Sequence, residues 1–536
     1  MEGADCIVVN GTIHTMDPAR PVVAAVAIAG GRIVALGSED DVRSHVKAGS
    51  PVLDLCGQCA IPGLTDAHVH LLSYGLSLEQ VDLTGVRSSA EAAQRVGAHA
   101  AALPPGEWVV GRGWDRNLWP QGDLPTRWTL DEVAPANPVA LGSKDGHGMW
   151  VNSAALREVG FDAATEDPEG GRIVRDGETG EPTGLLLEQA ADAVSLCIPP
   201  AGPAALRRAA LAAAERALRL GLTGVHNCEG GRETAALAAL WQEGKLGLRV
   251  YALVAREALE AAIETGLCSG LGDEWLRVGH LKLFADGSLG SRTADMIDPY
   301  EGEAANRGVA VLESGPLRAA IERAARAGIA PAVHAIGDRA NRRVLDVYSE
   351  TWSAWAGRGL RPRIEHVQLL SEADVPRLAQ MGVVASMQPI HATSDMQMAE
   401  AHWGARCRWA YAWRSLLRAG TVLAFGSDCP VETLDPLAGI HAAVTRQRPD
   451  GTPAGGWRPE ESLTVEQAVR AYTWGAAYAA GEESIKGSLE VGKVGDLVVL
   501  SDDIFRMPPA GIREVRVLAT VCGGRLAYTT GDLRAA

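Results

Sequence analysis

The stretch HLKLFADGSLGSR runs from His280 to Arg292. Its first half alternates with the period of a β-strand. Leu281, Leu283 and Ala285 share one face, and Lys282 and Phe284 share the other. Asp286-Gly-Ser then breaks the strand into a loop. A lysine in a strand interior is costly unless something specific holds it there.

Working outward, the same plan recurs. Strand-like segments are AIPGLTDAHVH (60–70), TGVHNC (223–228), LRVYALV (248–254), LKLFAD (281–286) and APAVHAIGD (330–338). RIEHVQ (363–368), VVASMQP (383–389) and TVLAFGSD (421–428) continue the series. Helical patterns such as PLRAAIERAARAG and SEADVPRLAQMG separate most of them. Eight such units predict an α/β fold, a (β/α)8 TIM barrel over residues 61–481. A doubly wound open sheet is the competing topology, but no G-x-G-x-x-G follows the first strand.

The two ends of the chain differ from this middle. VVAAVAIAGGRIVALG (22–37) reads as a hairpin turning at Gly30-Gly31. GKVGDLVVLSDD (492–503) and VRVLATVCGGRLAY (515–528) have the same short-strand character. Residues 1–60 plus 482–536 are therefore expected to build one small β-sandwich domain. Over a hundred residues separate His70 from the helical pattern that opens at Pro203, far more than a βα loop needs. Residues 75–200, rich in Trp, Gly and Pro, are read as an inserted subdomain and a candidate lid over the barrel's catalytic face.

Composition narrows the function classes. The 536 residues are 47% hydrophobic, enough for a large core. The net charge of −16 argues against nucleic acid or an anionic membrane as partner, and leaves a small-molecule substrate. No run of ~18 uncharged apolar residues occurs, so no membrane span is expected. MEGADCIVVNG lacks the pattern of a signal peptide, and nine scattered cysteines fit a reducing cytoplasm. Cys56-Gly-Gln-Cys59 does not open a helix after a strand, so two reduced structural cysteines are expected there rather than a redox pair.

The chemistry sits at the strand ends. Asp66-Ala-His68-Val-His70 closes the first strand, where residues two apart point the same way and can grip one metal. His334, His366 and Asp428 close three further strands, and Lys282 lies on the fourth. The C-terminal ends of barrel strands are where such folds keep their active sites. Each residue alone has a bland reading, as a hydrogen-bonded core histidine or a helix cap. Six together on one rim do not.

These motifs give the chain a specific resemblance. PGLTDAHVH, GWDRNLWP, DGHGMWVNSAAL, KLFADGSLGSRTA, HAIGDRAN, IEHVQ, SDCPVE and KGSLEVGKVGDLVVL are similar to the amidohydrolase superfamily. Within it they resemble the YtcJ-like branch that includes N-substituted formamide deformylases, over almost the whole chain. The resemblance implies two divalent metal ions, with zinc the best match, and a CO2-derived carbamate on Lys282 that bridges them. His68, His70 and Asp428 would hold the more buried ion, His334 and His366 the outer one. It further implies hydrolysis of a C–N amide bond by a metal-activated hydroxide, with an N-formyl or N-acyl group on an apolar amine as the expected substrate. Asp428 would shuttle the proton, with His147 and His391 as further catalytic candidates. Trp114, Asp115, Asp286, Ser288 and Arg292 are candidate substrate-binding residues, with Trp119 and Trp150 as further wall and His226 as a supporting group. A homodimer is a further expectation. Ester, lactone or carbamate hydrolysis at the same site is the alternative, and a non-catalytic binding barrel a third reading.

Overall fold

Eight parallel strands lie side by side in chain order in one sheet. They are β1 (Leu64–Val69), β2 (Leu222–Asn227), β3 (Arg249–Ala255), β4 (Leu276–Phe284), β5 (Pro331–Ala335), β6 (Arg363–His366), β7 (Val384–Met387) and β8 (Leu423–Phe425). Backbone bonds just past the ends of β1 and β8 close the ring, from Asp428 N to His68 O at 2.7 Å and from His70 N to Cys429 O at 2.9 Å. The fold is the expected α/β barrel. The computed structural model describes residues 6–46, 50–120, 123–143, 148–168, 170–531 and 533–535.

β4 shows why the barrel forms. Leu281, Leu283 and Ala285 are fully buried on one face of the strand. At roughly 25 cal/mol per Å2 of apolar surface, each leucine contributes about 2 kcal/mol of transfer free energy. Lys282, 4% exposed, and Phe284, 44% exposed, line a cavity from the other face, the phenylalanine toward solvent.

Both ends of the chain build a two-sheet β domain. One sheet runs Arg534–Ala535, Val52–Asp54, Cys6–Val9, Ala25–Ala29, Arg32–Gly37. The other runs Arg525–Thr529, Val517–Cys522, Leu497–Leu500, Cys59–Pro62, Thr12–His14, Val22–Val23. Val8, Ile28 and Leu53 from the first sheet share a core with Ile13, Val499 and Val521 from the second. The expected hairpin turns at Gly30 and Gly31, with φ of 60° and 72°, the left-handed pair that a tight two-residue turn needs. This domain is fastened to the barrel by Arg249 of β3, whose guanidinium donates to both oxygens of Asp496 at 2.7 and 2.9 Å.

Residues Gly75–Ala209 form a second unit, with a six-stranded mixed sheet of its own. Its core gathers Trp114, Trp119 and Trp150, whose rings lie 5.8–6.4 Å apart. Among the described residues no helix is long and apolar enough to cross a membrane. None of the nine cysteines is in a disulfide; Cys56 is exposed and Cys59 buried.

Candidate active site

A cavity of about 430 Å3 opens at the C-terminal ends of the barrel strands. His68, His70, Lys282, His334, His366 and Asp428 all line it, joined by His391 and Ser288. The six ring residues come from β1, β4, β5, β6 and the segments following β1 and β8, so the barrel geometry itself brings them together.

The first and last strands meet tightly at the floor. Asp66 accepts from His68 N and Ser427 N at 3.0 Å each, and from Ser427 Oγ at 2.5 Å. Burial pushes its carboxyl up to about 7, despite these bonds. Gly426 is required there, because a Cβ would lie 2.5 Å from His68 N. The backbone then turns through left-handed conformations at Asp428 (φ 59°), His366 (φ 74°) and Val367 (φ 46°). Such strain persists only where the surroundings impose it. Here it aims Asp428 and His366 into the cavity.

His68, His334 and His366 each have one ring nitrogen committed to a protein acceptor, which leaves the other as the lone-pair side. His68 Nδ1 donates to Glu365 Oε2 at 2.5 Å, so its lone pair is on Nε2. His366 Nδ1 donates to Gln388 Oε1 at 2.8 Å. His334 Nε2 donates to the Gly287 carbonyl at 2.9 Å, leaving Nδ1. This is the arrangement that orients histidines as metal ligands. Burial, with the Lys282 charge second, lowers His68 to about 4 and His334 to about 3. Burial and then His334 hold His366 well below its usual value. Neutral rings are the metal-binding form.

Asp428 sits at the centre. Its Oδ1 lies 3.4 Å from His68 Nε2 and 3.3 Å from His70 Nε2. Burial favours its neutral form but is outweighed by the His70 hydrogen bond and the surrounding imidazoles, so it stays ionised. The donor atoms of His68, His70 and Asp428 lie within 4.8 Å of one another, close enough to share one ion, and those of His366, His391 and Asp428 are equally close. Gln368 Nε2 donates to His391 Nδ1 at 3.2 Å, so the N–H of the His391 ring is at Nε2, 3.6 Å from Asp428 Oδ2. That nitrogen is buried and otherwise without a partner. Lys282 Nζ has His68 Nε2 as its polar neighbour at 3.5 Å and the Phe284 ring centroid at 5.0 Å. Among the described residues it meets no carboxylate, an expensive setting for a buried ammonium. The donor set therefore fits divalent metal.

Beneath the cavity lies a buried ion pair. Arg363 donates to Glu365 Oε1 at 2.5 Å, to His226 Nδ1 at 2.8 Å and to the Ala67 carbonyl at 2.9 Å. His226 is thus a support for Arg363. The pair is visible in RIEHVQ as opposite charges two residues apart in a buried strand, but only the structure links it to His68.

The structure corrects two expected substrate contacts. Asp286 is 2% exposed and absent from the cavity wall. Its carboxylate accepts from the backbone of Asp295, Ile336 and Gly337, because it organises the loops after β4 and β5. Burial pushes that carboxyl up to about 7. Arg292, half exposed, pairs with Glu303 at 2.5 Å and does not line the cavity. Trp114 and Asp115 line a separate cavity of about 930 Å3 inside the 75–209 unit, and Trp114 Nε1 is spent on the Leu141 carbonyl at 2.8 Å. His147 lies outside the described residues.

Comparison with known proteins agrees with this geometry. The amidohydrolase family model matches residues 51–528. The putative amidohydrolase YtcJ of Bacillus subtilis is 33% identical over 97% of this chain and 98% of its own length. N-substituted formamide deformylase of Arthrobacter pascens is 30% identical over 98% of each chain. The crystal structure of an uncharacterized metal-dependent hydrolase from Pyrococcus furiosus superposes with a TM-score of 0.79 at 30% identity, covering 94% of this chain and all of that one. With imidazoles gathered around an ionised carboxylate on this barrel, the chain belongs to the amidohydrolase family and is a metal-dependent hydrolase.

Proposed function

We propose that this hydrolase cleaves a C–N amide bond, with an N-formyl or N-acyl group on an apolar amine as its substrate class. The convergence of His68, His70, Lys282, His334, His366 and Asp428 on one cavity carries the reading. Phe284, Leu289, Ile336, Met398 and Val431 supply apolar wall for the amine substituent. The formamide deformylase relative supports the choice of bond.

His68, His70 and Asp428 would hold one ion and His334 and His366 a second, with a carbamate on Lys282 between them. Imidazole and carboxylate donors suit zinc. When bound, such metal polarises the scissile carbonyl and makes a water nucleophilic at neutral pH. Asp428 starts ionised, so it can accept the proton of the attacking water and return it to the departing nitrogen. His391 presents an Nε2–H beside Asp428 and can hold the reacting oxygen by hydrogen bond as charge develops.

The test joins metal analysis of the pure protein to a panel of matched formamides, acetamides and esters of one apolar series. Amide turnover that tracks metal content is expected. Full activity without metal, or turnover of the esters alone, overturns the proposal.

A further inference from the structure

A second group of metal-ligating side chains lies in the β domain, apart from the barrel cavity. Its three members come from three segments. His14 ends the Thr12–His14 strand, Cys59 opens the Cys59–Pro62 strand, and Asp503 follows the Leu497–Leu500 strand. The register puts these segments on neighbouring strands. Thr12 faces Cys59 in parallel pairing, and Cys59 faces Leu500 in antiparallel pairing, so the chain leaving Leu500 turns past the same sheet end.

Their geometry adds a thiol to an imidazole–carboxylate pair. His14 Nε2 lies 3.1 Å from Asp503 Oδ1 and 3.2 Å from Oδ2, facing both oxygens at once. All three donor atoms lie within 4.8 Å of one another. Around zinc, bond lengths of about 2.0–2.3 Å place tetrahedral ligands roughly 3.3–3.7 Å apart. The His14–Asp503 separation would widen by a few tenths of an ångström around such an ion, and Cys59 Sγ lies within 4.8 Å of both partners. His14 and Cys59 are both more than nine-tenths buried, and the Phe505 ring stacks on His14 at 4.0 Å, fixing the imidazole plane. The Cys59 thiol has a weak contact of 3.9 Å to the Ala60 carbonyl and also faces the Asp503 carboxylate. Asp503 is the opening to solvent, and it also accepts from Phe505 N at 3.0 Å and pairs with exposed Arg506 at 3.4 Å.

We propose that His14, Cys59 and Asp503 form a second metal site, taking one zinc-class divalent ion that ties the N-terminal and C-terminal strands of the β domain together. Sulfur, imidazole and carboxylate in one set favour a borderline-soft ion over calcium or magnesium. With three protein ligands, water completes a tetrahedron on the Asp503 side. The site is structural, and hydrolysis does not pass through it.

The barrel cavity wall contains no cysteine, so a thiolate–metal signal distinguishes the two sites. The full-length protein is produced in cobalt-supplemented medium, and its cobalt content, near-ultraviolet spectrum and hydrolytic activity are measured together. The wild type is expected to show a thiolate-to-cobalt charge-transfer band. Cys59→Ser and His14→Gln should each lose the band and one equivalent of cobalt, with hydrolysis unchanged. Should Cys59→Ser not fold, His14→Gln at the end of its strand carries the same test. An active, cobalt-loaded wild type with no such band overturns the proposal, as does a band that survives both substitutions.

Discussion

Glu365→Gln is the sharpest perturbation of the site, because it keeps side-chain volume and removes one charge. Glu365 serves two donors at once: His68 Nδ1 at its Oε2 and Arg363 Nε at its Oε1, both at 2.5 Å. A glutamine has one acceptor oxygen for these two donors. If that oxygen faces Arg363, the amide NH2 faces His68 and forces the tautomer with the proton on Nε2. The lone pair aimed at the cavity is then lost. If it faces His68, the NH2 confronts a guanidinium that is fully buried. Breaking a buried ion pair costs about 3–5 kcal/mol. Arg363 keeps the Ala67 carbonyl and His226, so the loss belongs near ~3 kcal/mol. Loss of a carboxylate behind a metal-bound histidine typically costs about 10–100-fold in metal affinity. Chelator competition and thermal unfolding measure the two effects separately. The double variant Arg363→Met/Glu365→Gln should recover stability and part of the metal affinity, since the single amide oxygen is then free to accept from His68 Nδ1. Wild-type metal affinity and activity in Glu365→Gln would refute the reasoning.

Other perturbations probe other links. Lys282→Ala should lose metal and activity together, with partial rescue of both by short carboxylic acids; full activity without rescue agent contradicts the carbamate reading. Gly426→Ala must displace His68 N or the Asp66 carboxylate, and kcat/KM should fall about 100-fold with little loss of far-ultraviolet signal. Arg249→Met leaves Asp496 buried with Gly523 N as its remaining donor, so denaturant unfolding should show a loss of about 3 kcal/mol. A strong chelator should abolish hydrolysis, and zinc should restore it in dialysed protein; chelator-insensitive activity contradicts the metal-dependent assignment.

The barrel was legible because strand-like segments recur between helical patterns and several of them end in a chemically costly residue. Lys282 and Asp428 mark β4 and the segment past β8 in this way. The support beneath the site was harder to read, for a specific reason. Strict alternation along Arg363–His366 puts Glu365 and His366 on opposite faces, so one would point away from the barrel axis. The left-handed φ at His366 and Val367 cancels that alternation, and both side chains point inward. Asp286 misled because a carboxylate after a barrel strand reads as a ligand group, whereas three backbone N–H groups consume it. The tryptophans of the 75–209 unit were ambiguous between wall and core; Trp150 is core, its Nε1 bonded to the Thr126 carbonyl.

The closure of the ring has a consequence for the timing of assembly. Asp66 and Ser427 are 361 residues apart, and their hydrogen bonds form the floor on which His68 and Asp428 stand. On a ribosome, the first strand must wait until almost the entire barrel has emerged before it meets the last. Until then His68 and His70 lack Asp428, their shared carboxylate. Metal capture at this site is therefore a late event in biosynthesis, and a nascent or truncated chain ending before Asp428 has two orphan histidines where the finished protein has a centre.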